Sequence, residues 1–546
     1  MMMGVLLASC RTGNPESRMD AGSESGSKDS GNLGGDADTD GDIDADIDAD
    51  IDGDSDGDSD GNSDAAIPDG GEDACACDPD AAGQPGWTRT MGGSEHDSVS
   101  AVAVGSDGTV VIAGNFQGTV DFDPGEGEDM HTSSDGSAFL SKYTSKGGYL
   151  WTRVIDGTFM PSPKCLEVMD DGSIILGGDF LDTIDLDPGD GVAERTSNGG
   201  LDIGIIKLDG HGDFLWGQTV GGTGDDSLSD LEIRGDSVIV LTGKFSFTVD
   251  FDPGPSSSEQ TSAGLDDVFV FWLDTDGNCV SSLSLGGSGS DKSFGMALGN
   301  DGSIALTGTF EHTIDLDPGP GTAEHTAAGT SDIFFLKLSP VGAYEWSYSF
   351  GNEALGYDST SWGESAAVDD EGNIYFGGQY CGDIDFDPTG KEEWHGDLPR
   401  GAFITKYTAS GAYEWTETLS GISINDIRLA AGGVAATGVF SGPVDFDPGP
   451  GVEERDPGEG CGSLFDLSLK EDGTFHWVTF VGCAEILWSC SLSQGPDLSL
   501  YTVGYFLGTM DFNPTDCVEN HSSYSPATYD GFIWKLDSEG SYSSCH

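Results

Sequence analysis

The segment TVDFDPG at Thr119 to Gly125 returns in near copies, seven in all. The first aspartate of each copy is Asp121, Asp185, Asp250, Asp315, Asp385, Asp445 or Asp511, at successive spacings of 64, 65, 65, 70, 60 and 66 residues. An aromatic stands five residues before each of these aspartates, from Phe116 through Tyr380 to Phe506, and a glycine two residues before that, from Gly114 to Gly504. A tandem period of this length restricts the chain to architectures in which each unit is one supersecondary element that hides its apolar faces against its neighbours.

Each unit reads as four strands. In the first, VSAVAVG leads through the turn SDG into TVVIAGNF, then DFDPG and a polar connection, then AFLSKYT, a KGG turn and YLWTRVI. β-branched and alternating runs separated by turn residues are the pattern of short antiparallel strands, and long helix-like periodic runs are absent. Radial repetition of four-stranded sheets predicts an all-β fold, a seven-bladed β-propeller over residues 83–546, because closing on itself protects the strand edges. The last unit ends on GFIWKLDSEGSYSSCH without an outer YLWTR-like strand, whereas GWTRTMGG at Gly86 to Gly93 precedes the first unit with no sheet of its own. The N-terminal segment is therefore expected to complete the last blade, which an open solenoid with polar caps would not need.

On the motifs GNIYFGG at Gly372, SDIFFLKL at Ser331 and SAFLSKYT at Ser137, the chain resembles the bacterial SBBP-type β-propeller repeat proteins over roughly residues 84 to 546. The resemblance implies an exported or surface protein and supports fold and address more than an activity.

The start, MMMGVLLASCRTG, resembles the lipobox of bacterial lipoproteins, which implies a signal segment over residues 1–10 with Cys10 as the lipidated residue. It lacks a basic n-region and its apolar run is short, as a start codon placed too far downstream would explain. Residues 11–82 read as a linker. From Asp36 to Asp60 an aspartate fills every second position, a composition that cannot bury enough apolar area to offset chain entropy. Its DxDxDG pieces look like calcium loops, but the twelfth position counted from Asp36 is Ile47, where bidentate ligation needs glutamate. With 97 acidic against 21 basic residues the formal net charge is -76, which repels nucleic acid. No segment approaches the roughly 20 apolar residues of a membrane helix, so membrane attachment is expected only through lipid.

The aspartate pairs invite a metal reading. Asp121 with Asp123, Asp185 with Asp187, Asp250 with Asp252, Asp315 with Asp317, Asp385 with Asp387, Asp445 with Asp447, and Asp511 with Asn513 offer only oxygen donors, the set a hard cation such as calcium takes. The competing reading is an Asx-type turn before a proline, which Asn513 serves equally well. A catalytic dyad fits seven near-equal copies least, since an active site needs one asymmetric constellation. The pairs are expected to share a rim with the loops GGSEHD, GGTGDD and GGSGSD.

Lys142, Lys207, Lys337, Lys406 and Lys535 recur at one position of the third strand, broken by Trp272 and Ser468, and read as stems packed on the sheet with heads paired to carboxylates. Trp87, Trp151, Trp216, Trp346, Trp415 and Trp477 mark the outer strand and read as interblade packing. Ten cysteines beside Cys10 favour disulfides, concentrated near the ring closure, with Cys75 or Cys77 expected to meet Cys545. The nine histidines read as scattered in phase, without ligand spacing, and no HExxH or phosphate loop occurs. The enlarged connection Gly351 to Ser365 is the place where a binding function would be grafted.

Two functions remain in competition. One is a monomeric, non-enzymatic surface propeller that recognises protein or glycan at an acidic rim, with calcium as a candidate stabiliser. The other is an extracellular polysaccharide hydrolase or lyase with its site at the central channel. An enzyme requires unlike, non-repeating acid, base and aromatic residues at the channel; a scaffold repeats the same residues seven times.

Overall fold

The computed structural model describes residues 86–542 apart from 126, 158–161, 236, 353–360, 392, 396–400, 459 and 516. Among them there are strands and turns but no helix, hence none long and apolar enough to cross a membrane. A short strand, β1 (Trp87–Met91), comes first; β2 (Ser98–Val104), β3 (Val110–Asp121), β4 (Met130–Tyr143) and β5 (Tyr149–Ile155) then form an antiparallel sheet in sequence order. Five further four-stranded blades follow, ending with the outer strands Phe214–Val220, Cys279–Gly287, Tyr344–Phe350, Tyr413–Ser420 and Phe475–Ala484.

The seventh blade is completed by β1. It pairs antiparallel with Asp530–Leu536 in the register Trp87 to Lys535, Arg89 to Ile533 and Met91 to Gly531. The innermost strands touch in a closed series: β2 meets Ser162–Val168, which meets Ser227–Arg234, and so on through Lys292–Leu298, Trp362–Val368 and Ile422–Ala430 to Ile486–Gln494, which meets β2. The ring of seven therefore closes on its own two ends, as the unpaired outer edge of the last repeat requires.

Each blade is cemented to the next by apolar side chains from both. Trp87, Tyr501 and Ile533 of blade 7 share a cluster with Val99, Val110, Ile112, Phe116 and Phe139 of blade 1. The residue between the paired aspartates supplies much of it: Phe122 is fully buried, with its ring edge-on to Phe116 at 5.2 Å, and Phe251, Phe446 and Phe512 repeat that geometry against Phe245, Phe440 and Phe506. Burying one such ring is worth about 1.5–3 kcal/mol. The glycine of the repeat has an equally physical cause. Every inner strand bulges at one point, between Val99 and Ala101 in β2, and a Cβ on the facing Gly114 would collide with the Ser98 carbonyl and the Phe139 ring. Gly243, Gly438 and Gly504 stand under the same constraint.

A second device ties blade to blade where the third and fourth strands turn. Lys535 Nζ and Trp87 Nε1 of blade 7 both donate to the Ser145 carbonyl of blade 1, at 3.3 and 3.0 Å. Lys207 with Trp216 on Thr275, Lys337 with Trp346 on Ala409, and Lys406 with Trp415 on Glu471 repeat this clasp. The lysine heads thus serve a neighbour's carbonyl as well as carboxylates such as Glu345 and Glu414. The tryptophan rings cover a turn glycine of the next blade, Gly147 at φ 75° under Trp87 and Gly277 at φ 81° under Trp216, where both the backbone angle and the ring exclude a side chain.

Candidate functional site: rim and channel mouth

The paired aspartates act on the backbone in all seven blades. Asp121 Oδ1 accepts the amides of Asp123 (3.1 Å) and Asp129 (2.9 Å), and Asp123 Oδ1 accepts that of Gly125 (2.9 Å). Asp185, Asp250, Asp315, Asp385, Asp445 and Asp511 each take the same two amides, two and eight residues ahead. Asp187, Asp252, Asp317, Asp387, Asp447 and Asn513 each hold the amide two residues on. The first aspartate ends its strand and the second lies beyond it, so the two do not project side by side from one strand face; each closes its own loop. Among the described residues no group of three or more His, Cys, Asp or Glu side chains is arranged to hold a metal ion.

A second set of carboxylates, which the reading of the motifs passed over, lies beneath these loops. Asp97, Asp226 and Asp291 end the loops GGSEHD, GGTGDD and GGSGSD and are 2%, 0% and 0% exposed. Each takes an amide from its own loop, Gly93, Gly222 or Gly287, and one from the end of the second strand, Gln117, Ser246 or Glu311. In blade 5 the Ser361 hydroxyl takes the equivalent amide, Cys381. Asp202, Asp267, Asp332 and Asp530, buried at the start of third strands, accept the amides of Asn198, Ala263, Ala328 and Tyr524. Burial outweighs these bonds, pushing Asp97 and Asp291 up to about 7 and Asp202, Asp267 and Asp530 up to about 6. A signal existed in the sequence: Asp97, Asp226 and Asp291 each stand 24 residues before the first aspartate of a pair.

The histidines need a correction of the same kind. His131, His325, His395 and His521 each lie ten residues after a first aspartate, so four of the nine share one phase. They sit on the return strand of the loop and meet groups nearby, His325 the hydroxyls of Ser349 (3.0 Å) and Ser347 (2.8 Å), His521 the Thr90 hydroxyl at 2.9 Å. Burial lowers the pKa of His325 and His395.

The inner strands break the sevenfold pattern. At their rim ends equivalent positions hold Ser98, Ser162, Ser227, Lys292, Trp362, Ser423 and Trp488, of which Trp488 is buried in the core between blades 6 and 7. Trp488 pairs across the ladder with Tyr505, whose ring meets Tyr529 at 4.7 Å, and Tyr529 meets His96 at 4.1 Å. On the opposite side of the mouth Asp266 lies between Lys244 (3.4 Å) and Lys292 (3.8 Å). Deeper in the ring, Arg428 of blade 6 bonds Asp426 at 2.9 Å, and its field reaches Glu232, Asp230 and Glu167 of blades 2 and 3. Burial and mutual repulsion raise Glu167 to about 7 and Glu232 well above the usual carboxylate range. Asymmetry, with acid, base and aromatic residues together, therefore resides at the channel and not in the aspartate pairs.

The cysteine expectation is met in part. Cys461 and Cys483 form a disulfide with sulfurs 2.07 Å apart, and Cys490 and Cys517 are also disulfide-bonded, all four in the last two blades. Cys10, Cys75, Cys77 and Cys545, and residues 353–360 of the enlarged connection, lie outside the described residues.

No family model matches the chain. A 170-residue stretch is 28% identical to the regulatory protein FlaEY of Caulobacter vibrioides, covering 30% of this chain and 17% of that protein. Among solved structures, a protein of unknown function from Bacteroides caccae is similar at 11% identity and a TM-score of 0.28, over 59% of this chain and 82% of its own. The extracellular domain of a one-component system from B. thetaiotaomicron is similar at 11% identity and a TM-score of 0.16, over 84% of each chain. The propeller assignment rests on the strand register above rather than on these likenesses.

Proposed function

We propose that this is an exported, non-enzymatic binding propeller of the SBBP-repeat type, lipidated at Cys10 and carried on the aspartate-rich linker, with a protein or glycan ligand. The observation that carries the reading is the asymmetric mouth: Trp362, the Tyr505, Tyr529 and His96 series, and the Lys244, Asp266 and Lys292 group, all set into a frame that otherwise repeats. Aromatic faces beside charged groups suit a sugar ring or a peptide side chain, and positions that differ from blade to blade are where a repeat scaffold acquires specificity. The disulfides agree with an oxidising compartment. Calcium belongs to this reading as an ion held loosely by the field of an acidic surface, because the aspartate oxygens already serve backbone amides. A glycan and surface-protein binding screen, with and without calcium, tests it. Specific capture that is weakened by His96→Ala or Tyr529→Ala supports the reading, and capture indifferent to both variants refutes it.

The inner-strand cluster of Glu167, Glu232, Asp426 and Arg428 is the observation that favours the second reading, a polysaccharide hydrolase or lyase acting at the channel. Release of reducing ends or of unsaturated sugars in the same screen would replace the first reading with the second.

A further inference from the structure

Six of the seven blade junctions are filled at their outer edge by a long side chain, and one is not. The residue two places after the outer-strand tryptophan, or after Ser281 in blade 3, reaches the turn glycine of the next blade. Arg89, Arg153 and Gln218 donate to the carbonyls of Gly147, Gly212 and Gly277 at 2.9, 3.1 and 3.3 Å, and the Tyr348 hydroxyl donates to that of Gly411 at 2.8 Å. Leu283 and Glu417 lie against Gly342 and Gly473. Blade 6 holds Thr479, the shortest of the seven, whose hydroxyl donates to the Gly540 carbonyl at 2.6 Å. The clasp is incomplete at this junction too: Ser468 stands in the lysine position, and among the described residues Trp477 Nε1 is buried without a partner.

Beside the short side chain lies an open pocket of about 350 Å³, between the outer strand of blade 6 and residues 514–515 and 540–542 of blade 7. That is the small end of the range for ligand sites, roughly 300–1,000 Å³. Val478, Phe480 and Pro514 give it an apolar wall, and Arg455, Thr515 and Ser541 bring polar groups. The Arg455 guanidinium stands over the Phe480 ring at 6.0 Å. It donates to the Glu454 carbonyl at 3.1 Å and pairs with the Glu453 carboxylate, which balances its charge and leaves further N–H groups of the fork unspent among the described residues. Tyr542 closes the pocket, its hydroxyl fixed by Thr88 at 2.8 Å and by Glu519 at 2.7 Å.

We propose that the junction of blades 6 and 7 binds one neutral sugar unit, its C–H face on the Phe480 wall and its hydroxyls on Arg455, Thr515 and Ser541. A sugar ring is apolar on its face and both donor and acceptor at its edge, which matches hydroxyls and spare guanidinium N–H groups set around an aromatic side chain. Charge selects a neutral ligand. Glu453 already neutralises Arg455, and the field of a chain at -76 repels a further anion. A cation meets the guanidinium and finds no carboxylate among the lining residues. The pocket is built on the outer strand of blade 6, whereas the mouth lies at the inner strands, so the two readings stand or fall separately.

Saturation-transfer NMR on the whole protein decides it, with glucose, galactose, mannose and N-acetylglucosamine as neutral probes and glucuronate as the charged one. Transfer to the ring protons of at least one neutral sugar is expected, stronger than to glucuronate. Thr479→Arg installs the residue that fills the junctions after blades 1 and 7, and Thr479→Gln the one that fills the junction after blade 2. Each is expected to weaken the binding by about tenfold or more while holding or raising the Tm. His96→Ala, at the mouth, is expected to leave it unchanged. No transfer to any neutral probe, a preference for glucuronate, or binding that survives both Thr479 variants overturns the proposal. Binding lost in His96→Ala but kept in the Thr479 variants places the sugar at the mouth, which overturns this site and supports the other reading. Circular dichroism on each variant separates lost binding from lost folding.

Discussion

The two rims of the ring are both acidic, yet they use their acids in opposite ways. On the rim of hairpin turns, Asp107, Asp171, Asp209, Asp274 and Asp301 bond amides two to four residues away in their own turns. These carboxyls lie near the surface, and their hydrogen bonds hold the pKa below the usual range despite some desolvation. On the rim of long connections, Asp97, Asp226, Asp291, Asp202 and Asp267 lie buried, and burial raises them. The first kind of acid shapes one turn, whereas Asp97, Asp226 and Asp291 join a loop between blades to a strand about twenty residues further on, so the two should differ sharply when removed.

The comparison can be broken most forcefully at the closure that both rims share. Deleting residues 86–91 removes the buried Trp87 and Met91, the outer strand of blade 7 and half of the Ser145 clasp. Loss of one large buried side chain costs about 3–5 kcal/mol, so the deletion is expected to unfold blade 7 or lower the Tm by more than about 10 °C in calorimetry. Next in size, Asp291→Ala strands the amides of Gly287 and Glu311 and should cost about 2–5 kcal/mol. Asp301→Ala, on the turn rim, should cost about 1 kcal/mol or less. Equal costs in urea titration would erase the distinction between the rims.

Acidity separates them as well. A carboxyl raised to about 7 in the folded state, against 3.8 unfolded, keeps its proton on folding between those values. Its contribution is therefore lost as pH rises from about 4 towards 7. The lowered turn aspartates work in the other direction, stabilising above about pH 4 and failing as pH drops through their folded pKa. Stability is expected to peak near pH 5 and the Tm at pH 8 to lie several degrees below it, roughly 5 °C, in buffers of equal ionic strength. Asp291→Asn should flatten the alkaline limb, and Asp301→Asn only the acid limb. At the clasp, Lys535→Met gives up a charge-assisted bond to Ser145, worth about 1–2 kcal/mol, a loss between those expected for Asp291→Ala and Asp301→Ala.

What could be read in advance follows the same division. The strands, the Asx turns and the closing strand were legible, because each depends on residues adjacent in sequence or on an edge that a count of strands leaves open. Asp97, Asp226 and Asp291 were not recognised, although their spacing is fixed, since their partners lie across a loop and an aspartate in a GGxxxD loop resembles any polar turn residue. The phase shared by His131, His325, His395 and His521 was hidden for the same reason, by copies in which Arg195, Gln260 and Arg455 take the position. The mouth and the Arg428 cluster were beyond sequence reasoning for the converse cause. They consist of the residues that do not repeat, and only the ring brings Glu167, Glu232 and Arg428 from three blades to one place.

Hydrogen–deuterium exchange of the intact protein tests the closed ring most directly. Amides of residues 87–91 are expected to be protected to the same degree as those of 530–536, because each strand is the other's partner. Exchange of 87–91 at the rate of an unstructured peptide, while 530–536 stays protected, would contradict the closure and the account built on it.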